Sequence, residues 1–215
     1  MLDSLLLVRH GEVHNPGHVV YADLPGFPLS RRGRRQADET AGFLGTTGAD
    51  VVVASPLQRA VETAEPIAAG LGLDLETDER LVEWRLSGRW AGVPWDDVDR
   101  AFPGELTAYL DHPHRLPFTP ETIEEAATRV RAVVADLGDR FPGGRAIVVG
   151  HQDPTQAARL VLAGRGLDGL HTDKPDHGTV VELRSGDPWT EIGRWDPPSA
   201  ADPVPPVATE AGDPA

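Results

Sequence analysis

Three short apolar runs in this chain lead straight into residues that can do chemistry. Leu5-Leu6-Leu7-Val8 runs into Arg9-His10-Gly11-Glu12, Val51-Val52-Val53-Ala54 into Ser55-Pro56-Leu57-Gln58-Arg59, and Ala146-Ile147-Val148-Val149 into Gly150-His151-Gln152-Asp153. Continuous apolar runs of this length read as fully buried strands of a parallel sheet, and in open α/β sheets ligands bind beyond the carboxyl ends of the strands. The three polar segments are therefore expected to converge, with Arg9, His10, Arg59 and His151 in one pocket. Two guanidinium forks and two imidazoles suit a doubly charged tetrahedral anion, because arginine presents planar pairs of donors that match phosphate oxygens. Helices starting after Ser55 and His151 add backbone N–H groups to the same place. A phosphoryl group is the expected guest.

The elements that must hold these residues alternate along the chain. Ser30 precedes a helix with Ala37, Ala41 and Leu44 on one face, and a second helix carries Leu57, Ala60, Val61, Ala64, Ala68 and Leu71, with a kink expected at Pro66. Leu73 to Thr77 reads as a third strand. The clearest helix covers about 121–140, with Glu121, Glu124 and Glu125 near its N-terminus; another is expected over about 154–163. Thr179 to Leu183 and Thr190 to Trp195 read as a hairpin. Residues 84–120 have weaker periodicity and hold Trp84, Trp90, Trp95, Phe102, Tyr109 and Phe118, six of the chain's 12 aromatics, which marks a lid insertion. Strands alternating with helices imply an α/β fold.

Composition narrows the function. The chain has 215 residues, 40% of them hydrophobic, which suits one domain with a sizeable core. Thirty-four acids against 20 bases give a net charge of −14, which disfavours nucleic acid and anionic membrane as partners. There is no cysteine, so disulfides, thiolate nucleophiles and cysteine-based metal sites are excluded. The apolar run before Arg9 is too short for a signal peptide or a spanning helix, and a cytoplasmic location is expected. Residues 196–215 hold six prolines, four acids and no base; they are expected to form a loose tail after a domain covering 1–195.

Arg9-His10-Gly11-Glu12, Ser55-Pro56-Leu57-Gln58-Arg59-Ala60 with Thr63-Ala64, Leu81-Val82-Glu83 followed by Gly88-Arg89-Trp90, and Val149-Gly150-His151 together resemble the histidine phosphatase superfamily, in its phosphoglycerate mutase-like branch of bacterial phosphatase type. The resemblance covers roughly residues 5–183. It implies a three-layer α/β/α sandwich with a mostly parallel central sheet and a helical lid insertion. It also implies a phosphohistidine formed on His10, a phosphate clamp of Arg9, Arg59 and His151, and Glu83 as proton donor to the leaving group. Asn15 lies roughly where family members carry a phosphate-binding asparagine, and Gln152 adds an amide where the family often has glycine. The scheme requires no metal and no cofactor. Its physical logic is sound: flanking arginines disfavour an imidazolium, so the groups that bind phosphate also keep His10 neutral and nucleophilic.

Several alternatives stay open. Asp153 is a reserve proton donor. Asp23 stands where close relatives carry a glycine-arginine pair, which favours a less anionic substrate. The short segment from Trp84 to Trp95 favours a small-molecule phosphomonoester phosphatase over a phosphoglycerate mutase-type phosphotransferase, and a catalytically weak phospho-ligand-binding module is the third reading. His10, His14 and His18 have helical spacing for a metal, but Gly11, Asn15, Pro16 and Gly17 break any helix there. His112, His114, His171 and His177 are expected at the surface or pocket rim, with His177 singled out because it precedes a strand.

Overall fold

Every residue of the three apolar runs is buried, because the sheet they form is covered on both faces. The computed structural model describes residues 1–201. In chain order it contains β1 (Ser4–Arg9), α1 (Arg31–Leu44), β2 (Val51–Ala54), α2 (Gln58–Leu71), β3 (Leu75–Thr77), α3 (Leu86–Trp90), α4 (Val98–Ala101), α5 (Glu105–Asp111), α6 (Ile123–Arg140), β4 (Arg145–Gly150), α7 (Gln152–Leu162), β5 (Val180–Arg184) and β6 (Thr190–Trp195). The sheet order is β3-β2-β4-β1-β5-β6. The first four strands are mutually parallel; β5 runs antiparallel to β1, and β6 antiparallel to β5. The sheet is thus mostly parallel, and the expected hairpin is its antiparallel edge.

Alternate strand residues point to opposite faces, and the core divides accordingly. Leu5, Leu7, Val51, Val53, Ala146 and Val148 pack with Val130, Val133, Val134 and Leu137 of α6 and Ala158 of α7. Leu6, Val8, Val52, Ala54, Ile147 and Val149 pack with Leu44 of α1 and Ala60, Ala64 and Ile67 of α2. That is the three-layer α/β/α arrangement.

Local chemistry sets the helix ends. Ser30 caps α1 by accepting the Gly33 N–H at 2.9 Å. Thr122 and Glu125 form a reciprocal capping box at the start of α6, which satisfies two of the free donors there. Helix α2 continues through Pro66 to Leu71 and ends on Gly72 in the left-handed conformation (φ 69°), a backbone state that glycine adopts without steric cost.

The lid segment is helical, as expected, and has a core of its own. Trp84, Trp90 and Tyr109 are buried with Val98, Ile123, Ala126, Ala127 and Ala157, so the segment is anchored on α6 and α7. Three boundaries differ from the sequence reading. Helix α7 begins at Gln152, because the His151 carbonyl already accepts the Thr155 N–H at 3.3 Å. Strand β3 is limited to Leu75–Thr77, the residues that find partners on β2. The third concerns the tail, expected loose from Asp196, whose first residues dock on α1. The Ser199 N–H and hydroxyl both donate to Glu39 (3.0 and 2.7 Å), and Arg32 donates to the Ser199 and Ala200 carbonyls (3.0 and 2.6 Å). The remainder of the expected tail, 202–215, lies outside the described residues.

Leu7 sits on a central strand facing α6. Leu7→Ala is expected to lower the free energy of unfolding by about 2–5 kcal/mol, read as a lower urea midpoint at an unchanged m-value.

Candidate active site

Strand register does the converging. Pairing of β1 with β4 sets Arg9 opposite Gly150, and the His10 N–H donates to the Gly150 carbonyl at 3.0 Å. Pairing of β2 with β4 sets Ala54 opposite Val149, and the Ser55 N–H donates to the Val149 carbonyl at 2.9 Å. His10, Ser55 and His151 therefore emerge side by side at one edge of the sheet. The imidazoles of His10 and His151 are 5.2 Å apart, centre to centre.

His10 is buried, and its Nδ1 lies 2.7 Å from the Gly11 carbonyl. A carbonyl can only accept, so Nδ1 carries the proton and Nε2 keeps its lone pair. Burial, then Arg59, His151, His177 and Arg9, hold the His10 pKa well below 6.5. The ring is neutral at physiological pH. His151 is likewise pushed well below 6.5, first by burial and then by Arg59, Arg129 and Arg9; its Nε2 shares a 2.8 Å hydrogen bond with the Ser55 hydroxyl.

Arg9 donates to the Pro175 carbonyl and to Nε2 of His177, both at 2.9 Å. Arg59 donates to the Ala22 carbonyl and lies over the Tyr21 ring, 4.8 Å from its centre. The Nε atoms of Arg9 and Arg59 and Nδ1 of His151 are buried and have no hydrogen-bond partner in the protein. Buried donors of this kind are costly unless something supplies acceptors, and an oxyanion supplies several.

A cavity of about 780 Å³ opens over His10; its wall includes Arg9, Asn15, Glu83, Gln152, Asp153 and His177. Arg59 and His151 are buried and are not on that wall. Glu83 stands across the cavity, its pKa raised to about 7 by burial and by Asp153, against the opposing pull of the Trp84 N–H, Arg59 and Arg9. Asp153 accepts hydrogen bonds from the Tyr109 hydroxyl at 2.8 Å and from the Gln152 amide at 3.2 Å. Gln152 is thus engaged with a carboxylate. Asn15 is on the cavity wall; one Nδ2 hydrogen goes to the Val19 carbonyl and its Oδ1 accepts the Val19 N–H, so it also clasps its own loop. His14 and His18 sit on a non-helical stretch, and among the described residues no group of three or more potential ligands could hold a metal ion.

Backbone packing fixes the loop after His10. A Cβ on Gly11 would sit 2.5 Å from the Gly33 carbonyl oxygen, and one on Gly33 only 2.0 Å from that of Glu12. The Gly11 N–H donates to Thr63 at 3.0 Å, and Glu12 accepts from Ser30 and Arg32 at 2.6 and 3.0 Å. On the opposite wall, Arg129 of α6 uses all five of its N–H groups. It donates to the carbonyls of Arg80, Val82 and Glu83 at 2.8, 2.7 and 3.2 Å, and to both oxygens of Glu121 at 2.7 and 3.2 Å. One guanidinium thus shapes the segment that presents Glu83. Sequence reasoning did not find Arg129, Glu121, Tyr21 or Lys174, although the single lysine of the chain was visible as such.

Comparison with known proteins adds an independent line. The model of the histidine phosphatase superfamily (branch 1) matches residues 5–196. An uncharacterized protein of Mycobacterium tuberculosis (H37Rv) is 41% identical over 169 residues, covering 75% of this chain and 79% of its own. Phosphoserine phosphatase 1 of Hydrogenobacter thermophilus is 30% identical over 165 residues, covering 76% of this chain and 78% of its own. The structure of mycobacterial glucosyl-3-phosphoglycerate phosphatase in complex with VO3 superposes with a TM-score of 0.80 at 26% identity, covering 88% of this chain and 97% of that one. No helix among the described residues is long and apolar enough to cross a membrane.

Replacing Arg129 with methionine strands the buried Glu121 carboxylate and three carbonyls. A loss of about 3 kcal/mol is expected, measured by urea unfolding, with only partial recovery in Arg129→Lys because an ammonium cannot span all five acceptor positions.

Proposed function

The chain belongs to the histidine phosphatase superfamily, and from that premise we propose that it is a phosphomonoester hydrolase working through a phosphohistidine on His10, with Glu83 as proton donor. The observation that carries this reading is the pairing of a neutral imidazole, Nε2 lone pair free, with a carboxyl group that titrates near 7 across the same cavity. Groups whose surroundings hold them uncharged at the working pH are what acid and nucleophile roles need.

Nε2 of His10 attacks phosphorus, the ester P–O bond breaks, and the departing alkoxide takes the proton of Glu83. Water then attacks the phosphohistidine, Glu83 takes its proton, and the N–P bond breaks to free inorganic phosphate and His10. Arg9 and Arg59, with their unpartnered Nε donors, bear the phosphoryl charge together with His151. A dianion outcompetes the neutral Ala22 carbonyl and the Tyr21 ring for Arg59, because charge-assisted hydrogen bonds are roughly twice as strong as neutral ones. The charge stabilisation that phosphoryl transfer demands is thus met by side chains, and the scheme needs no metal. Asp153 acts on Glu83 rather than in its place. The phosphatases among the similar proteins support release of phosphate over its transfer to a second hydroxyl.

The test is phosphate release in the presence of EDTA. The expected outcome is turnover unaffected by chelation, absent in His10→Ala, with an acid-labile, alkali-stable phosphoenzyme trapped after quenching. Transfer to an acceptor hydroxyl without free phosphate overturns the hydrolase reading. For an alkyl phosphate, kcat/KM is expected to be high while Glu83 is protonated and to fall as pH rises through about 7. The limb from His10 lies on the acid side, well below 6.5. Glu83→Gln is expected to remove the upper limb and to cost about 10²- to 10⁴-fold for alkyl phosphates, far less for p-nitrophenyl phosphate, whose leaving group needs no proton.

A further inference from the structure

We propose that the ester cleaved here carries an uncharged, mainly apolar leaving group, seated between Trp95 and Leu110 at the mouth of the cavity. The inference rests on the hydrolase reading and specifies its substrate class. Size is the first consideration. At about 780 Å³ the cavity is in the range that holds whole small-molecule ligands, and a phosphoryl group fills only the end at His10.

Wall chemistry is the second. Away from His10 the cavity is lined by Val20, Leu86, Trp90, Trp95, Leu106 and Leu110. Five large hydrophobic side chains are exposed among the described residues, and two of them, Trp95 at 43% and Leu110 at 51%, stand on this one cavity. A lone exposed leucine is ordinary. Two such side chains flanking the approach to a reactive imidazole are a surface that gains when a ligand covers it.

Charge is the third. Beyond Arg9 the wall carries one further arginine or lysine, Lys174. Its ammonium already feels the opposing charges of Asp153 and Glu83 and donates to Nδ1 of His171 at 3.4 Å. A carboxylate or second phosphate on the leaving group would meet Asp153 beside that lysine. No second pair of arginines waits for it on the cavity wall.

A series of n-alkyl phosphates from ethyl to hexyl tests this, because the leaving groups have nearly the same basicity and differ in apolar area. Specificity is read in kcat/KM, which covers the steps through the first phosphoryl transfer. The expected result is a rise of about fourfold per methylene, with hexyl phosphate also preferred over phosphoserine. In the double variant Trp95→Ser, Leu110→Ser, the hexyl-to-ethyl ratio is expected to collapse several-fold; because Trp95 also packs edge-on against Trp90, a urea midpoint measured on the variant separates loss of the subsite from loss of the fold. A flat alkyl series with phosphate released from every member overturns the inference and leaves the hydrolase reading standing. Preference for phosphoserine over hexyl phosphate overturns it in favour of an anion held on Lys174. No phosphate from any ester ends the hydrolase reading, and this inference with it.

Discussion

The hydrogen bond from His10 Nδ1 to the Gly11 carbonyl, 2.7 Å long and shut away from water, decides which ring nitrogen keeps its lone pair, and much of the surrounding structure serves to keep it in place. The Gly11 carbonyl can face the ring because the loop is pressed against Gly33 at a separation that leaves no room for a Cβ on either residue. Thr63 of α2 takes the Gly11 N–H, and Gln36, Ser30 and Arg32 of the α1 region hold Glu12. Both helices on one face of the sheet are thereby fastened to the residues beside the imidazole.

The electrostatics of the two walls differ in origin. Burial and four cationic or titratable neighbours act in the same sense on His10. On Glu83 the arginines and a backbone N–H pull one way while burial and Asp153 push the other, and the push prevails. The raised Glu83 pKa therefore depends on Asp153 staying in place and on the segment around Glu83 keeping its shape. Tyr109 and Gln152 secure the first, and the Arg129 clasp secures the second. The Glu83 wall is held from α6 and the lid, the His10 wall from α1 and α2.

Much of this was legible in the sequence for one reason: burial on both faces forces continuous apolar runs. Leu5 to Val8, Val51 to Ala54 and Ala146 to Val149 could be recognised as strands, and whatever followed them had to share one edge of the sheet. The short, partly exposed β3 gave a weaker signal and was drawn too long. Residues that act by side-chain geometry at long range left little trace. Arg129 is one arginine among many in a chain that uses a single lysine, and nothing in helical periodicity marks it as a clasp on three carbonyls. Asn15 ties its own loop together through both ends of its amide, a role that its position in a motif does not reveal. The docking of Ser199 on Glu39 was hidden by the prolines around it, because composition measures the lack of a core and not the presence of a few specific hydrogen bonds.

The placement of β1 has a consequence for how the protein comes into being. The strand lies between β4 and β5, which are translated well over a hundred residues after it. The His177 that receives Arg9 and the Arg32 partners at Ser199 and Ala200 come later still than β4. The nascent chain thus carries His10 through more than a hundred residues of synthesis without the strands that flank β1, and long-range pairings of this kind close slowly. The pocket around His10 is therefore assembled only once β4 and β5 are available, and a product truncated before them lacks the strands on both sides of β1.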